Sequence, residues 1–309
     1  MHLLGLHHVT AIASDPRRNV DFYTRVLGLR LVKKTVNFDD PSTYHLYYAD
    51  GVGTPGSVMT FFPWSGLRRG RVGSGQATAT SFSVPADALQ FWVDRLTAQG
   101  ITLTDAVSRF GESVLSFNDP DGLVLEIVGA READARTPWT HPEIPVSAGI
   151  RGFHGVTLGV TSTAATLALL TGTMGYRVVT TEGGRTRLTT GNGGPGTYVD
   201  LFVDPAMPHG LQGAGTVHHV AFRTPNDTTQ ASDLAAVRKL GLHVSPVMDR
   251  SYFHSIYYRE PAGILFEIAT DTPGFATDET VEQLGTTLRL PPQYEIQRAR
   301  IEAALPALT

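Results

Sequence analysis

The feature that most constrains the fold is a pattern that occurs four times along the 309 residues. Each copy contains an alternating strand-like segment, an apolar helical segment that ends at a glycine, and further strand-like segments, the last of which follows a turn glycine. The helix-ending glycines are Gly28, Gly100, Gly175 and Gly241. Glycine accepts the left-handed conformation that closes a helix. The pattern therefore predicts four βαβββ units.

The fourth residue after each turn glycine of a closing strand is polar or charged. These residues are Thr60, Glu126, Asp200 and Glu267. The opening strands align by their apolar alternation, and the equivalent positions there are His8, Ala79, Gly155 and His219. Because side chains alternate between the faces of a strand, equivalent positions converge inside a curved sheet made from two units. We expect an α+β protein whose four units form two curved, mixed-sheet half-barrel pairs.

The segment 131–150 is predicted to link two halves, because its prolines resist both helix and central strand. We place the domain boundary there, which gives an N-terminal domain 1–145 and a C-terminal domain 146–271, each with two units. Residues 272–309 are expected to form a tail with a short amphipathic helix at 295–305 that covers the site or another subunit. The apolar residues of this helix available for packing are Ile296, Ala299, Ile301, Ala304 and Leu305.

Composition limits the classes of protein and of site. The chain is 41% hydrophobic and 17% charged with a net charge of -4, as in a globular protein with no broad basic face for nucleic acid. It has no cysteine, so a metal site must use His, Asp or Glu. The N-terminus does not resemble a leader, and no apolar run is long enough to span a membrane. We expect a cytoplasmic protein without nucleic-acid or membrane partners.

Two histidine doublets, His7-His8 and His218-His219, occupy equivalent places in the first and fourth units, and Glu267 follows in the closing strand of the fourth unit. Two histidines and one carboxylate on one face of a ferrous or similar ion leave positions open for substrate and oxygen. A carboxylate in an apolar strand is costly unless it is paired or binds metal. The alternative is that strand histidines fill space and bond a neighbouring carbonyl group. Their repetition favours a metal site.

The pairing of the units decides which of these residues meet. Units one and four would gather His8, Thr60, His219 and Glu267. Units two and three would gather Ala79, Glu126, Gly155 and Asp200, without any imidazole. Units three and four would gather Gly155, Asp200, His219 and Glu267, and the symmetry of the repeats alone leaves that alternative open.

The paired βαβββ units resemble the vicinal oxygen chelate superfamily over residues 4–271. This superfamily includes glyoxalase I, extradiol ring-cleaving dioxygenases and fosfomycin-resistance proteins. Several stretches are similar to the hydroquinone-type ring-cleaving dioxygenases, namely residues 7–10, 22–23, 26–37, 39–41 and 249–253. The resemblance implies that units one and four pair.

The resemblance also implies roles for individual residues. It places the metal on His8, His219 and Glu267. It assigns catalytic positions near the substrate to His7, His218, Arg250 and Tyr257. We also expect Thr10, on the strand face of His8, and His254, near Arg250, to contact the substrate. Other interpretations are packing for His7, His218 and Thr10, a surface guanidinium for Arg250 and a core phenol for Tyr257.

The expected function is Fe(II)-dependent cleavage of a hydroxylated aromatic ring, hydroquinone- or catechol-like, with O2 as the second substrate. Mn, Zn, Ni and Co are alternative metals. Thr60 favours this over glyoxalase chemistry, because glyoxalase I usually places a second carboxylate at about this position. The alternatives are a glyoxalase-like metal-dependent isomerase or lyase, which needs no oxygen, and a non-enzymatic small-molecule binding protein. A homo-oligomer is compatible with the sequence.

Overall fold

The computed structural model describes residues 1–308, which form two eight-stranded sheets with helices packed on their outer faces. The strands of the first two units are Leu6–Ala13 (β1), Arg30–Val36 (β2), Tyr44–Ala49 (β3), Val58–Pro63 (β4), Gln76–Pro85 (β5), Val107–Arg109 (β6), Glu112–Asn118 (β7) and Val124–Ala130 (β8). Those of the last two units are Phe153–Gly159 (β9), Arg177–Glu182 (β10), Arg185–Thr189 (β11), Tyr198–Phe202 (β12), Thr216–Thr224 (β13), Met248–Asp249 (β14), Phe253–Arg259 (β15) and Leu265–Pro273 (β16).

The helices follow the predicted pattern of one helical segment per unit, with a further helix in the tail. They are Pro16–Asp21 (α1), Leu89–Ala98 (α2), Ala164–Gly172 (α3), Asp227–Lys239 (α4) and Arg298–Ala304 (α5). A π-helical turn, Phe22–Val26, extends α1. The glycine after each of the first four helical segments has a φ between 67° and 80°, as the sequence predicts. No helix within residues 1–308 is both long and apolar enough to cross a membrane.

The sheets pair the first unit with the fourth and the second with the third. The strand orders are β14-β15-β16-β13-β1-β4-β3-β2 in one sheet, the first half-barrel, and β10-β11-β12-β9-β5-β8-β7-β6 in the other, the second half-barrel. The predicted α+β fold with two curved half-barrels is confirmed. Each half-barrel combines one unit from residues 1–145 with one from 146–271. The division into domains 1–145 and 146–271 therefore describes the order of the units along the chain, and it stays a prediction.

Each half-barrel has two bulges in its central antiparallel strand pair. In the β1–β13 pair, the register shifts leave His7 and His218 without a partner residue across the ladder. In the β5–β9 pair, the unmatched residues at the equivalent places are Thr78 and His154. A bulge bends the strand and re-aims a side chain. The first histidine of each doublet therefore departs from the strict alternation of a regular strand.

The C-terminal tail lies along the β2 edge of the first half-barrel. Arg289 donates its backbone N–H to the carbonyl oxygen of Lys34, and the buried Lys33 ammonium lies 2.6 Å from Asp278 and 2.5 Å from Glu279. The predicted short helix at 295–305 is present as α5 but is shorter, and a 3₁₀ segment, Pro292–Gln297, precedes it. The expectation that Ile296 packs is wrong, because its side chain is 94% exposed at the junction of these two segments.

Candidate metal centre and substrate cavity

The predicted metal ligands meet on the concave face of the first half-barrel. The Nε2 atoms of His8 and His219 are 3.3 Å apart, and the Oε2 atom of Glu267 lies 3.2 Å from the first and 2.9 Å from the second. The three residues come from the neighbouring strands β1, β13 and β16 and are all buried. They are the one group of three potential His or carboxylate ligands found close together in residues 1–308.

The Glu267 carboxylate has a partner on one oxygen only. Its Oε1 atom accepts a hydrogen bond from Ser255, whereas within the described chain no donor has hydrogen-bond geometry to Oε2. Burial by itself would raise the pKa of this carboxyl group, but His8 and His219 hold the pKa of Glu267 well below its ordinary value. A buried carboxylate with an unsatisfied oxygen beside two imidazoles fits a bound divalent cation.

The first doublet fixes which nitrogen of His8 is available to a metal. The Nε2 atom of His7 is 3.1 Å from the Thr270 carbonyl oxygen, which can only accept, so this nitrogen carries the hydrogen. Burial, followed by the neighbouring His8, lowers the pKa of His7 well below its ordinary value, so His7 is neutral and its Nδ1 accepts. That Nδ1 lies 2.9 Å from Nδ1 of His8, which must donate. The Nε2 lone pair of His8 is therefore directed at the metal position.

The second doublet repeats this contact. The Nδ1 atoms of His218 and His219 are 2.8 Å apart, so His219 can donate from Nδ1 and keep Nε2 free for metal. Burial, followed by His219, lowers the pKa of His218 to about 3, and this ring is neutral at neutral pH. Strict alternation would have put His7 and His218 on the opposite face from the ligands. The bulges instead place both rings beside the ligands they support.

Thr60 is held away from the metal position by its own hydrogen bonds. Its hydroxyl lies 2.8 Å from the Thr10 hydroxyl and 2.7 Å from Nε2 of His45. The other nitrogen of His45, Nδ1, is 2.7 Å from the Tyr47 hydroxyl. The hydroxyl of Thr60 is thus occupied on both sides, which leaves His8, His219 and Glu267 as the candidate ligands. Thr10, expected to contact substrate, is fully buried in this network and does not line the cavity.

Arg250 and Tyr257 lie together beside the metal position. The Arg250 Nε donates to the Tyr257 hydroxyl at 3.1 Å, and the Tyr257 ring packs edge-on against His219 with ring centroids 5.8 Å apart. Burial, followed by the charge of Glu267, raises the pKa of Tyr257, so the phenol is protonated at neutral pH. The structure therefore brings both residues to the site that the resemblance implies.

A cavity of about 360 Å³ opens onto the metal position. Its walls are mainly aromatic, with Phe38, Phe62, Trp64 and Phe253 among the lining residues. Polar groups enter at two places, around Arg250 and Tyr257 and along the 37–40 loop. This volume is at the low end of the roughly 300–1,000 Å³ typical of ligand pockets, which suits a single aromatic ring.

His254 is not brought to this cavity. It precedes Ser255, the partner of Glu267, and the alternation of β15 turns its side chain to the outer face, where Nδ1 lies 2.6 Å from Asp227 of α4. The expectation that His254 binds substrate is corrected accordingly. Sequence reasoning also missed His45 and Tyr47. Their spacing of two in β3, matching one strand face, is the signal that could have found them.

The equivalent positions of the second half-barrel contain no metal-ligand set. Ala79 and Gly155 replace the two histidines, and the carboxylates are paired with arginines. Glu126 receives two hydrogen bonds of 2.9 Å from Arg109, and Asp200 receives bonds of 2.9 and 3.0 Å from Arg187. Arg187 also donates to Glu112 of β7 at 2.7 Å, and His154 lies 3.1 Å from the same carboxylate. These residues form a buried ion-pair network.

The fold and the site together define a member of a large family of metal-site proteins. The sequence pattern of the Glyoxalase/Bleomycin resistance protein/Dioxygenase superfamily matches residues 5–127 and 152–268, and the chain belongs to this superfamily. It is 35% identical to the "Chlorohydroquinone/hydroquinone 1,2-dioxygenase" of Sphingobium indicum, over 94% of this chain and 92% of that protein. It is 48% identical to the "Putative ring-cleaving dioxygenase MhqO" of Bacillus subtilis, over 98% of this chain and 96% of that protein.

A solved structure supports the same assignment. The crystal structure titled "putative dioxygenase" from Bacillus subtilis superimposes with a TM-score of 0.95 at 47% sequence identity, covering 100% of this chain and 98% of that one. The predicted superfamily and the predicted class within it, the ring-cleaving dioxygenases, are confirmed.

Proposed function

We propose that this protein is an extradiol-type dioxygenase that opens the ring of a hydroquinone- or catechol-like compound, with Fe(II) held by His8, His219 and Glu267. The observation that carries the proposal is the convergence of two unprotonated imidazole nitrogens and one unpartnered carboxylate oxygen at the end of an aromatic-walled cavity. Mn, Zn, Ni and Co remain alternative metals. A cytoplasmic location is part of the proposal.

A metal bound by these residues would supply activation of dioxygen and would lower the pKa of a phenolic hydroxyl of the substrate. The protein side chains orient the ring. Phe62 and Phe253 line the cavity with apolar rings, and His7 and His218 hold the ligand imidazoles in the required tautomer through their Nδ1 contacts. Such supporting contacts preserve the direction of each ligand lone pair.

Arg250 and Tyr257 provide charge and proton handling. The guanidinium stabilises negative charge that develops on the substrate oxygens during ring opening. The Tyr257 hydroxyl, already hydrogen-bonded to Arg250, holds a proton that it can deliver. His218 lines the cavity and is neutral; because its Nδ1 accepts from His219, its Nε2 carries the hydrogen and can donate a hydrogen bond to a bound hydroxyl group. Both atoms of O2 enter the product, a ring-opened acid.

The test is oxygen consumption by protein loaded anaerobically with Fe(II). Hydroquinones or catechols should be consumed with one O2 per ring, and His8→Ala should bind no iron and consume no oxygen. Iron-loaded protein that takes up no oxygen with any diol, or that isomerises a methylglyoxal-glutathione adduct under argon, would overturn the proposal. Thr60 argues against glyoxalase chemistry, because it stands where glyoxalase I usually has a second carboxylate ligand. Its hydroxyl is instead hydrogen-bonded to His45 and Thr10.

A further inference from the structure

We infer that Asp39 and Asp40 restrict this enzyme to uncharged aromatic diols, by repelling carboxylated rings at the cavity mouth and by occupying the arginine that would bind a carboxylate. This inference rests on the proposed function and specifies its substrate class. Both aspartates line the substrate cavity and lie in the loop between β2 and β3, where the Asp39 side chain is 71% exposed.

Arg250 is the one arginine or lysine among the cavity-lining residues of the described chain. It would be the natural partner of a substrate carboxylate, since a guanidinium binds carboxylates through pairs of parallel N–H bonds. Asp39 accepts from the Nη2 atom of Arg250 at 3.3 Å, and Tyr257 accepts from its Nε at 3.1 Å. A carboxylate can bind a guanidinium either through Nε and Nη2 or through Nη1 and Nη2, so Nη2 takes part in both arrangements. Asp39 therefore competes with a substrate carboxylate in either arrangement.

Asp40 adds a second, well-fixed negative charge. Its carboxylate accepts from the Ser42 hydroxyl at 2.5 Å and from the Trp64 indole N–H at 2.8 Å, and these bonds lower the pKa of Asp40 below its ordinary value. Trp64 is itself part of the cavity wall. An anionic ring that enters the cavity thus meets two aspartates among the lining residues.

The remaining lining favours neutral substituents. Phe38, Phe62 and Phe253 offer apolar contact to halogen, alkyl or unsubstituted ring edges. Burying a carboxylate against these side chains without a partner would be costly. Charge and burial therefore select against the same class of compounds.

The matched probes are 2,5-dihydroxybenzamide and 2,5-dihydroxybenzoate, which share a hydroquinone ring and differ in charge. In the Fe(II)-loaded enzyme at low salt, kcat/KM for the amide should exceed that for the acid by about tenfold or more, and Asp39→Asn should reduce this ratio by roughly fivefold. Asp40→Asn should reduce it to a smaller extent. The control Asp105→Asn, which removes an exposed carboxylate outside the cavity, should leave the ratio as it is.

The dependence of the kcat/KM ratio on salt is a second measurement. It would not change if the two aspartates had only a structural role. The screening length falls from about 10 Å at 0.1 M to about 3 Å at 1 M salt, so the wild-type ratio should shrink with salt more than the Asp39→Asn ratio. A ratio that is unchanged in both aspartate variants, or that does not respond to salt, would overturn the inference. Anaerobic calorimetry with the two probes measures the same preference without turnover. Absence of oxygen uptake with either probe would show that the proposed function is wrong. Uptake without a preference for the amide would show that the aspartates do not select against carboxylated rings.

Discussion

The two half-barrels share a strand order and the same central bulges, yet they place different chemistry on their concave faces. The first carries His8, His219 and Glu267, with one carboxylate oxygen left unpartnered. The second carries Ala79 and Gly155 at the histidine positions and an acid at each of the other two. The two half-barrels have the same backbone arrangement, so their different chemistry comes from the side chains on their concave faces.

The arginines explain why the second half-barrel needs no metal. Burial alone would raise the pKa of Glu126, but Arg109, with help from Ser81, holds it below its ordinary value, and Arg187 pairs with both Asp200 and Glu112. The near partners of the Glu267 carboxylate are the imidazoles of His8 and His219 and the Ser255 hydroxyl. A buried carboxylate matched by guanidinium groups is structural, whereas one matched by unprotonated imidazole nitrogens is prepared for a cation.

The largest expected effect separates the two glutamates at equivalent positions. Glu267→Gln should lower bound iron and reduce oxygen uptake by at least about 100-fold, because an amide is a weak ligand and the proposed site offers the cation only three protein ligands. Glu126→Gln, the matched change in the second half-barrel, should retain its iron. Metal analysis after gel filtration, paired with oxygen-electrode rates, measures both. Equal iron loss in the two variants would contradict the comparison.

Removing Arg187 should affect stability rather than metal. Arg187→Met leaves Asp200 and Glu112 buried without their guanidinium partner, and loss of one member of a buried ion pair costs about 3–5 kcal/mol. Urea unfolding monitored by fluorescence should report a free energy of unfolding lower by roughly that amount. Arg68→Met, at an exposed position, should change it by less than about 0.5 kcal/mol. A tolerated Arg187→Met would mean that the network contributes little to stability.

The acid stability of the protein should depend on Glu112. Burial would raise the pKa of this carboxyl group, but His154 and Arg187 lower it from 4.5 to about 2 in the folded state. A lowered folded pKa stabilises the protein above the unfolded value, and this contribution is lost as the pH falls from about 4.5 towards 2. The thermal midpoint of the wild type should therefore fall more steeply over that interval than that of Glu112→Gln. Parallel curves would assign acid unfolding to other groups.

The smallest effect is expected at His254. Because its side chain contacts Asp227 on the outer face, His254→Gln should keep oxygen uptake within about twofold of the wild type. His218→Gln, at a ring that lines the cavity, should reduce kcat clearly under the same conditions. Steady-state rates for the two variants decide the point. A loss at His254 as large as that at His218 would restore the original expectation.

Much of the fold follows from features that repeat in the sequence. The glycines at 28, 100, 175 and 241 end the helical segments as predicted, and the position four residues after each turn glycine falls on a closing strand. Repetition averages out local ambiguity, which is why the four units could be recognised. The tail has no repeat to constrain it, and the exposure of Ile296 was not foreseeable from amphipathic spacing alone.

The site was predictable where regular alternation holds. His8, His219 and Glu267 lie on one concave face as their equivalent positions predict. His7 and His218 could not be placed in this way, because a bulge adds a residue to one strand without a sequence marker. His254 was misplaced by its closeness in sequence to Arg250, although alternation along β15 separates its side chain from the cavity.

The pairing of the first and last units also has a consequence for biosynthesis. His8 and His219 are separated by 211 residues in the chain. While the ribosome is still making the fourth unit, β1 has no partner on its β13 side, and one histidine alone cannot hold iron firmly. Assembly of the candidate metal site therefore has to await a nearly finished chain, at a stage when the walls of the cavity can form around it.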